Sequence, residues 1–258
     1  MNAFSVFNLN IQHGRNRESA IWPPRVSKTE VQHNFQKIIN CIRTHNPDII
    51  TLQEVDEGSV LSGSFNQLEF LNAQLQYPHH YFASSCSARL FGKNIFVSGN
   101  AILSRFPLTN CAAYRFDLTF PTERMGFVIA DANLPSGETA TIASVHLVWL
   151  DWLRRDSRVH ELQVVERTIA HKKNLVVAGD FNCEWLGKES SLRDFVQKMD
   201  LQVYDPQNPS AFTHPTHDLK VRWDFILTSK NIPFVSYQTL QEKLADHLPV
   251  FTAVVLHG

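Results

Sequence analysis

Residues 175–182 read LVVAGDFN, and this stretch decides the fold. Leu175, Val176, Val177 and Ala178 form a short, fully apolar strand. Gly179 permits a tight turn directly behind it. Asp180 and Asn182 stand two apart, so in an extended segment both point the same way. One is anionic and one neutral, a pairing that can hold a water and a phosphoryl oxygen together. Polar groups placed at a strand end are how a rigid sheet presents chemistry at its rim. A Gly-Asp turn with an Asn cap also fits these residues taken alone.

Five other segments end in the same way: FNLN (Phe7, Asn8, Leu9, Asn10), LQE (Leu52, Gln53, Glu54), VHL (Val145, His146, Leu147), WDF (Trp223, Asp224, Phe225) and DHLPV (Asp246, His247, Leu248, Pro249, Val250). Each is a hydrophobic run closed by an oxygen or imidazole ligand. Together they suggest one converging site with a hard metal ion and a proton-transfer pair. Asn8 and Asn10 share a face, and Asn is disfavoured in strands, so two of them want a reason. Adjacent Asp246 and His247 point to opposite sides of a strand, so His247 needs another partner. Asp224, isolated among Trp223, Phe225 and Ile226, is the natural one, because a carboxylate in so apolar a run is costly unless bonded. Such an Asp sets the tautomer of its His and raises its basicity. Taken singly, Glu54 also fits a solvated charge, His146 a satisfied core histidine, Asn100 a turn residue, and Asp224 with His247 a structural Asp beside a surface His. Carboxylate and amide oxygens with no Cys cluster suit Mg²⁺, with Mn²⁺ as the alternative, over Zn²⁺.

Outward from these segments the chain alternates. Strands are expected over residues 4–9, 49–52, 95–103, 127–132, 139–147, 175–178, 225–228, 234–239 and 250–256. Ser27 and Glu30 form a capping box ahead of a helix whose inward face is Val31, Phe35, Ile38, Ile39 and Ile42, stopped at Asn46 and Pro47. Further helices are expected over 65–76 and 154–171, with a short one opening at Ser191. Some strands are separated by helices and others follow each other directly. That pattern suits an α+β class, an α/β sandwich of two packed, mostly antiparallel sheets covered by helices. With no linker or repeat in 258 residues, the expectation is one domain over 1–258.

The composition, 43% hydrophobic and 19% charged, is that of a globular protein. A net charge of -1 weakens a role in coating nucleic acid, while leaving local charge for a nuclease. The cysteines Cys41, Cys86, Cys111 and Cys183 have no paired spacing and read as free thiols, which favours a reducing compartment. The N-terminus lacks a basic segment followed by a long apolar one, and no run approaches a membrane span. The expectation is a cytoplasmic protein, with export by a signal-less route left open.

In this order, the six segments resemble the endonuclease/exonuclease/phosphatase superfamily, which includes DNase I, exonuclease III-type enzymes, inositol-polyphosphate 5-phosphatases, neutral sphingomyelinases and deadenylases. The likeness spans Phe7 to Val250, helped by residues 99–107 (GNAILSRFP) and by Trp22 with Arg25. It implies a four-layer, DNase I-like sandwich and a divalent-metal phosphoesterase. Carried over by position, Glu54 would be the principal metal ligand, with Asn10 and Asp246 nearby. Asn8 would support that shell or touch the phosphate. Asp180 would orient the attacking water and Asn182 would hold a phosphoryl oxygen. His247, held by Asp224, would be a general base or a positive clamp, and His146 would assist the leaving oxygen. Asn100 is counted with the substrate-contacting residues. Two departures stand out: Asn10 where some relatives carry Asp, and Ala245 where Ser is common.

Substrate choice should come from rim loops. Trp149, Trp152, Arg154, Arg155 and Arg158 could stack a base and grip phosphates, or could be the solvated start of a helix. The loop 89–97 offers Phe91, Lys93 and Phe96 to a lipid or a base, and Trp185 could wall the pocket. The reading that leads is a phosphodiesterase or phosphatase on a small or lipid-linked phosphoester, followed by a nuclease on DNA or RNA. A catalytically silent binding protein is the third, disfavoured because the full set of site residues is present. Oligomeric state is not readable from the residues.

Overall fold

The computed structural model describes residues 2–15, 26–119, 122–149, 157–186 and 190–257. Trp22, Arg25, Trp152, Arg154 and Arg155 lie outside the described residues. The elements are β1 (Asn2–Asn10), α1 (Lys28–His45), β2 (Ile49–Asp56), α2 (Gln67–Leu75), β3 (His79–Leu90), β4 (Lys93–Ser104), β5 (Leu108–Arg115), β6 (Gly126–Asn133), β7 (Thr139–His146), α3 (Ser157–Ile169), β8 (Leu175–Asp180), α4 (Ser191–Lys198), β9 (Leu201–Val203), β10 (Asp224–Ser229), β11 (Phe234–Thr239) and β12 (Val250–Leu256).

The strands make two six-stranded sheets, ordered β11-β12-β1-β2-β4-β3 and β5-β6-β7-β8-β10-β9. Each sheet has one parallel pair, β1 with β2 and β7 with β8, and the remaining pairs are antiparallel. The parallel pairs are joined through α1 and α3, as a parallel connection requires a crossover. Between the sheets lies an apolar layer that includes Val6, Ile49 and Ile102 from the first sheet and Val128, Ile142, Val176 and Ile226 from the second. A second layer packs α1 and α2 on the outer face of the first sheet. A third packs α3 and α4 on the outer face of the second. The result is the four-layer sandwich.

The local chemistry of α1 follows its sequence. Ser27 Oγ accepts from the Glu30 amide, and the Glu30 carboxylate accepts from the Ser27 amide at 3.1 Å. Asn46 closes the helix in the left-handed region. Three strands fall outside the sequence expectations: β3, β5 and β9. All three are sheet edges, where one-sided contact leaves no clear alternation of apolar and polar residues. The segment 89–97, expected as a loop, is a hairpin tip: it joins the end of β3 to the start of β4, with Phe91 exposed at the turn. All four cysteines are free thiols. Among the described residues no helix is long and apolar enough to cross a membrane.

Candidate active site

The C-terminal ends of both parallel pairs lie at one rim, the place where open α/β sheets commonly bind ligands. From the first sheet come Asn8 and Asn10 on β1 and Glu54 on β2. From the second come His146 closing β7 and Asp180 closing β8. Asp224 opens β10 directly opposite Asp180. His247 precedes β12, which pairs with β1 at Asn8 and Val250. Residues spread from 8 to 247 thus meet across the seam of the sandwich.

Glu54 does not sit beyond its strand, as expected, but inside β2. A β-bulge between Leu52 and Val55 gives it a left-handed φ of 56°. A bulge re-aims a side chain, and positive φ in a non-glycine residue marks stored strain. Gln12, His13 and Asn182 also have positive φ, at 49°, 55° and 47°, as do seven further non-glycine residues elsewhere among the described ones.

Asn10 joins the two sheets. Its Nδ2 donates to Glu54 Oε1 at 3.0 Å and to Asp180 Oδ2 at 3.1 Å, while its Oδ1 accepts from the Gln12 amide at 3.0 Å. Two histidines flank the same Asp180 oxygen: His146 Nε2 at 3.7 Å and His247 Nε2 at 3.6 Å. The other oxygen, Oδ1, accepts from the Asn182 amide at 2.9 Å. Asp224 Oδ2 accepts from His247 Nδ1 at 2.7 Å, the pairing read from the sequence. Asp246 Oδ2 accepts from Gln12 Nε2 at 2.9 Å.

The sequence reading missed His13. Its Nε2 lies 3.0 Å from Glu54 Oε2, its Nδ1 2.8 Å from Asp56 Oδ1, and Glu123 stands 3.7 Å from Nε2. His214 was also missed; its ring packs on Trp223 and on His247, with centroids 4.3 Å and 4.6 Å apart. The available signals were a His-Gly three residues after Asn10 and an Asp two after Glu54, neither distinctive.

The charges divide sharply. Burial would raise the Glu54 carboxyl, but His13, then His146 and the Asn10 amide, hold it down at about 2. Asp180 goes the other way. Burial and then the Asp224 carboxylate outweigh His247 and push it up to about 6. Burial and then Glu54 raise Asp246 to about 6 despite His247. Burial would lower His247, yet Asp224 and then Asp180 hold it well above its ordinary value. His13 is likewise raised to about 10, by Asp56 and Glu54 against burial.

The remaining expected residues are placed as follows. Asn182 Nδ2 donates to the Leu147 carbonyl at 2.8 Å, tying the β8 turn to the end of β7. Asn100 is buried, and its Nδ2 donates to the carbonyls of Gly126 at 2.7 Å and Ser144 at 3.3 Å, stitching β4 to the second sheet. Asn8 Oδ1 accepts from Thr51 Oγ1 at 2.8 Å and Gln53 Nε2 at 3.0 Å, while its Nδ2 is buried without a hydrogen-bond partner among the described residues. Trp149 is 56% exposed. Trp185 is half-buried against the layer behind the second sheet.

Comparison with known proteins agrees with this fold. The family model described as "Endonuclease/Exonuclease/phosphatase family" matches residues 7–247. The chain belongs to that family. Members of the endonuclease/exonuclease/phosphatase family are generally hydrolases of phosphoester bonds. Solved structures share the fold across the whole chain. One is the family protein from Beutenbergia cavernae, at TM-score 0.77 and 19% identity, covering 100% of this chain and 72% of that one. Another is the human Nocturnin catalytic domain with bound sulfate, at 0.72 and 21%, covering 99% and 95%. A third is the mannosyl-6-phosphatase Bt3783 of Bacteroides thetaiotaomicron, at 0.72 and 16%, covering 98% and 100%. No curated protein matches the chain at the level of sequence.

Proposed function

We propose that the chain is a divalent-metal-dependent phosphoester hydrolase that uses in-line attack of water, on a small or lipid-linked phosphodiester or phosphomonoester. The observation that carries this reading is the convergence on Asp180 Oδ2. One amide bridges it to Glu54, and two imidazoles stand on either side of it.

The donor set suits a hard cation. Glu54 is ionised across the working pH range, and the carboxyls of Asp180 and Asp246 are raised by burial and by crowded negative charge. A site with this surplus of carboxylates is one that a divalent ion would relieve. Glu54 and Asp246 would hold Mg²⁺ or Mn²⁺, with the Asn10 amide beside Glu54 fixing its carboxylate. When bound, the ion supplies charge neutralisation on the phosphoryl oxygens and on the leaving oxygen.

The chain's own groups divide the remaining work. Asp180, with Oδ1 pinned by the Asn182 amide, presents Oδ2 as the acceptor for the proton of the attacking water. His247 is held protonated by Asp224 and Asp180, which favours the role of cationic clamp on the phosphoryl group over that of base. His146, on the other flank, is placed to assist the leaving oxygen. Asn8, fully buried and tied to Thr51 and Gln53, supports the shell beneath Asn10. The exposed indole of Trp149, three residues beyond His146, supports a nuclease as the second reading, because an exposed aromatic ring can stack a base.

A substrate panel with Mg²⁺ and an EDTA control tests both. It covers bis-p-nitrophenyl phosphate, inositol phosphates, sphingomyelin, plasmid and single-stranded RNA. Turnover that needs Mg²⁺ on any member supports the hydrolase. Failure on all of them with Mg²⁺ and Mn²⁺ rejects it.

A further inference from the structure

Cys41 and His45 stand four apart on α1, so their side chains share one face of the helix. Glu242, from the segment between β11 and β12, meets that face. One ligand atom from each of the three lies within 4.8 Å of the other two. His45 Nε2 is buried and, among the described residues, has no hydrogen-bond partner. It faces Glu242 Oε1 at 3.9 Å. That gap is too long for a hydrogen bond and too short for a water bonded to both at ordinary angles, which needs about 4.5 Å. It is close to the roughly 3.4 Å that separates nitrogen and oxygen donors on one tetrahedral zinc ion. A plain ion pair of His45 and Glu242 would close to about 2.8 Å, and it would give Cys41 no part.

Thiolate, imidazole and carboxylate are the ligand types of Zn²⁺, whereas a hard ion such as Mg²⁺ does not take sulfur. We propose that Cys41, His45 and Glu242 form a Zn²⁺ site whose fourth position is left to water. It shares no residue with the catalytic centre and does not depend on the hydrolase reading. The ion lodges between the three donors, so the sealed His45 nitrogen need not be open to solvent. Glu242, whose side chain is 47% exposed, is the movable outer wall through which the ion enters. As the zinc–sulfur bond forms, the Cys41 thiol gives its proton to solvent, while neutral His45 offers the Nε2 lone pair and Glu242 one oxygen. Burial and then Glu242 push that thiol up to about 12, and a cation removes the second of these causes by neutralising Glu242. The segment that carries Glu242 already lies along α1. Leu240 and Leu244 pack in the layer under the helix, and the Leu244 carbonyl accepts from Asn34 Nδ2 at 2.8 Å. Zinc would staple this segment to the helix four residues before Asp246.

Cobalt(II) is the probe, because a thiolate ligand gives it a near-ultraviolet charge-transfer absorption and a tetrahedral site gives it intense visible bands. It is titrated into the reduced wild type with Mg²⁺ in excess, which competes for carboxylate sites and not for thiolate. Both absorptions are expected to saturate at one equivalent and to vanish when Zn²⁺ is added. Cys41→Ala should abolish the near-ultraviolet absorption. Glu242→Gln changes an exposed side chain and so keeps the fold, and it should weaken cobalt binding by roughly tenfold or more. Glu54→Gln should leave both absorptions intact, which separates this site from the catalytic one. No thiolate absorption in the wild type overturns the proposal. So does an absorption that persists in Cys41→Ala, since it then belongs to Cys86, Cys111 or Cys183. Unchanged affinity in Glu242→Gln, or loss in Glu54→Gln, overturns it as well.

Discussion

Two carboxylates, Glu54 and Asp180, are linked through one amide nitrogen, yet their environments drive them apart. Glu54 comes from a strained bulge within β2 of the first sheet and is pressed against His13, which holds it ionised down to about pH 2. Asp180 comes from the unbulged end of a buried strand and faces Asp224 across the pair β8 and β10, which with burial raises it to about 6. Carboxyls whose environments push their titrations apart are suited to different jobs. On the proposed reading the first holds the cation and the second takes the proton. The residue type is nearly the same, and the neighbouring histidine or carboxylate makes the difference.

The largest effect expected is on turnover. Asp180→Asn and Glu54→Gln should each reduce kcat by roughly 100-fold or more with the fold intact. Normal turnover in a folded Asp180→Asn protein would remove Asp180 from the chemistry. Next comes stability. His13→Ala leaves Asp56 and Glu54 without their shared buried cation and should cost about 3–5 kcal/mol, read by urea unfolding in EDTA. A loss under 1 kcal/mol would show that His13 does not set Glu54 apart. On the Asp180 side, Gly179 is the matching test. A Cβ there would meet the Val145 carbonyl oxygen at 1.9 Å, so the parallel pairing of β7 and β8 must shift. Gly179→Ala should destabilise by about 1–3 kcal/mol and lower kcat through Asp180; unchanged kcat would show that the strand end need not be rigid.

The smallest and most discriminating effect is the sign of the pH dependence. The Glu54 carboxyl is depressed in the folded state, so its contribution is present above about 4 and lost as pH falls toward 2. The Asp180 carboxyl is raised, so its contribution is present below about 4 and lost as pH rises through about 6. Compared with the wild type in EDTA, Glu54→Gln should therefore gain as pH falls, and Asp180→Asn should gain as pH rises. Slopes of the same sign would contradict the division of roles.

The Asp180 half of this site was far more legible in the sequence than the Glu54 half. An Asp alone among Trp223, Phe225 and Ile226 signalled a bonded carboxylate, and the structure puts it 2.7 Å from His247. LVVAGDFN announced a buried strand ending in ligands because both of its faces are covered. Glu54 owes its direction to a bulge, and His13 reaches it through two successive left-handed residues, Gln12 and His13. Neither backbone feature has a residue signature, since no Gly or Asn marks those positions. The missed strands failed for a related reason. In His79–Leu90, Ala, Ser and Cys make up half of an edge strand that pairs on one side only, so few large apolar residues mark its alternation. The capping box of α1 was readable because its signal is local and side-chain borne.

Calorimetric titration of Mg²⁺ into the wild type, Glu54→Gln and Asp180→Asn tests the central claim most directly. Loss of measurable binding in Glu54→Gln, with binding retained within about tenfold in Asp180→Asn, is the result expected if one carboxylate holds the ion and the other the proton. Unchanged affinity in Glu54→Gln, or loss confined to Asp180→Asn, would contradict it.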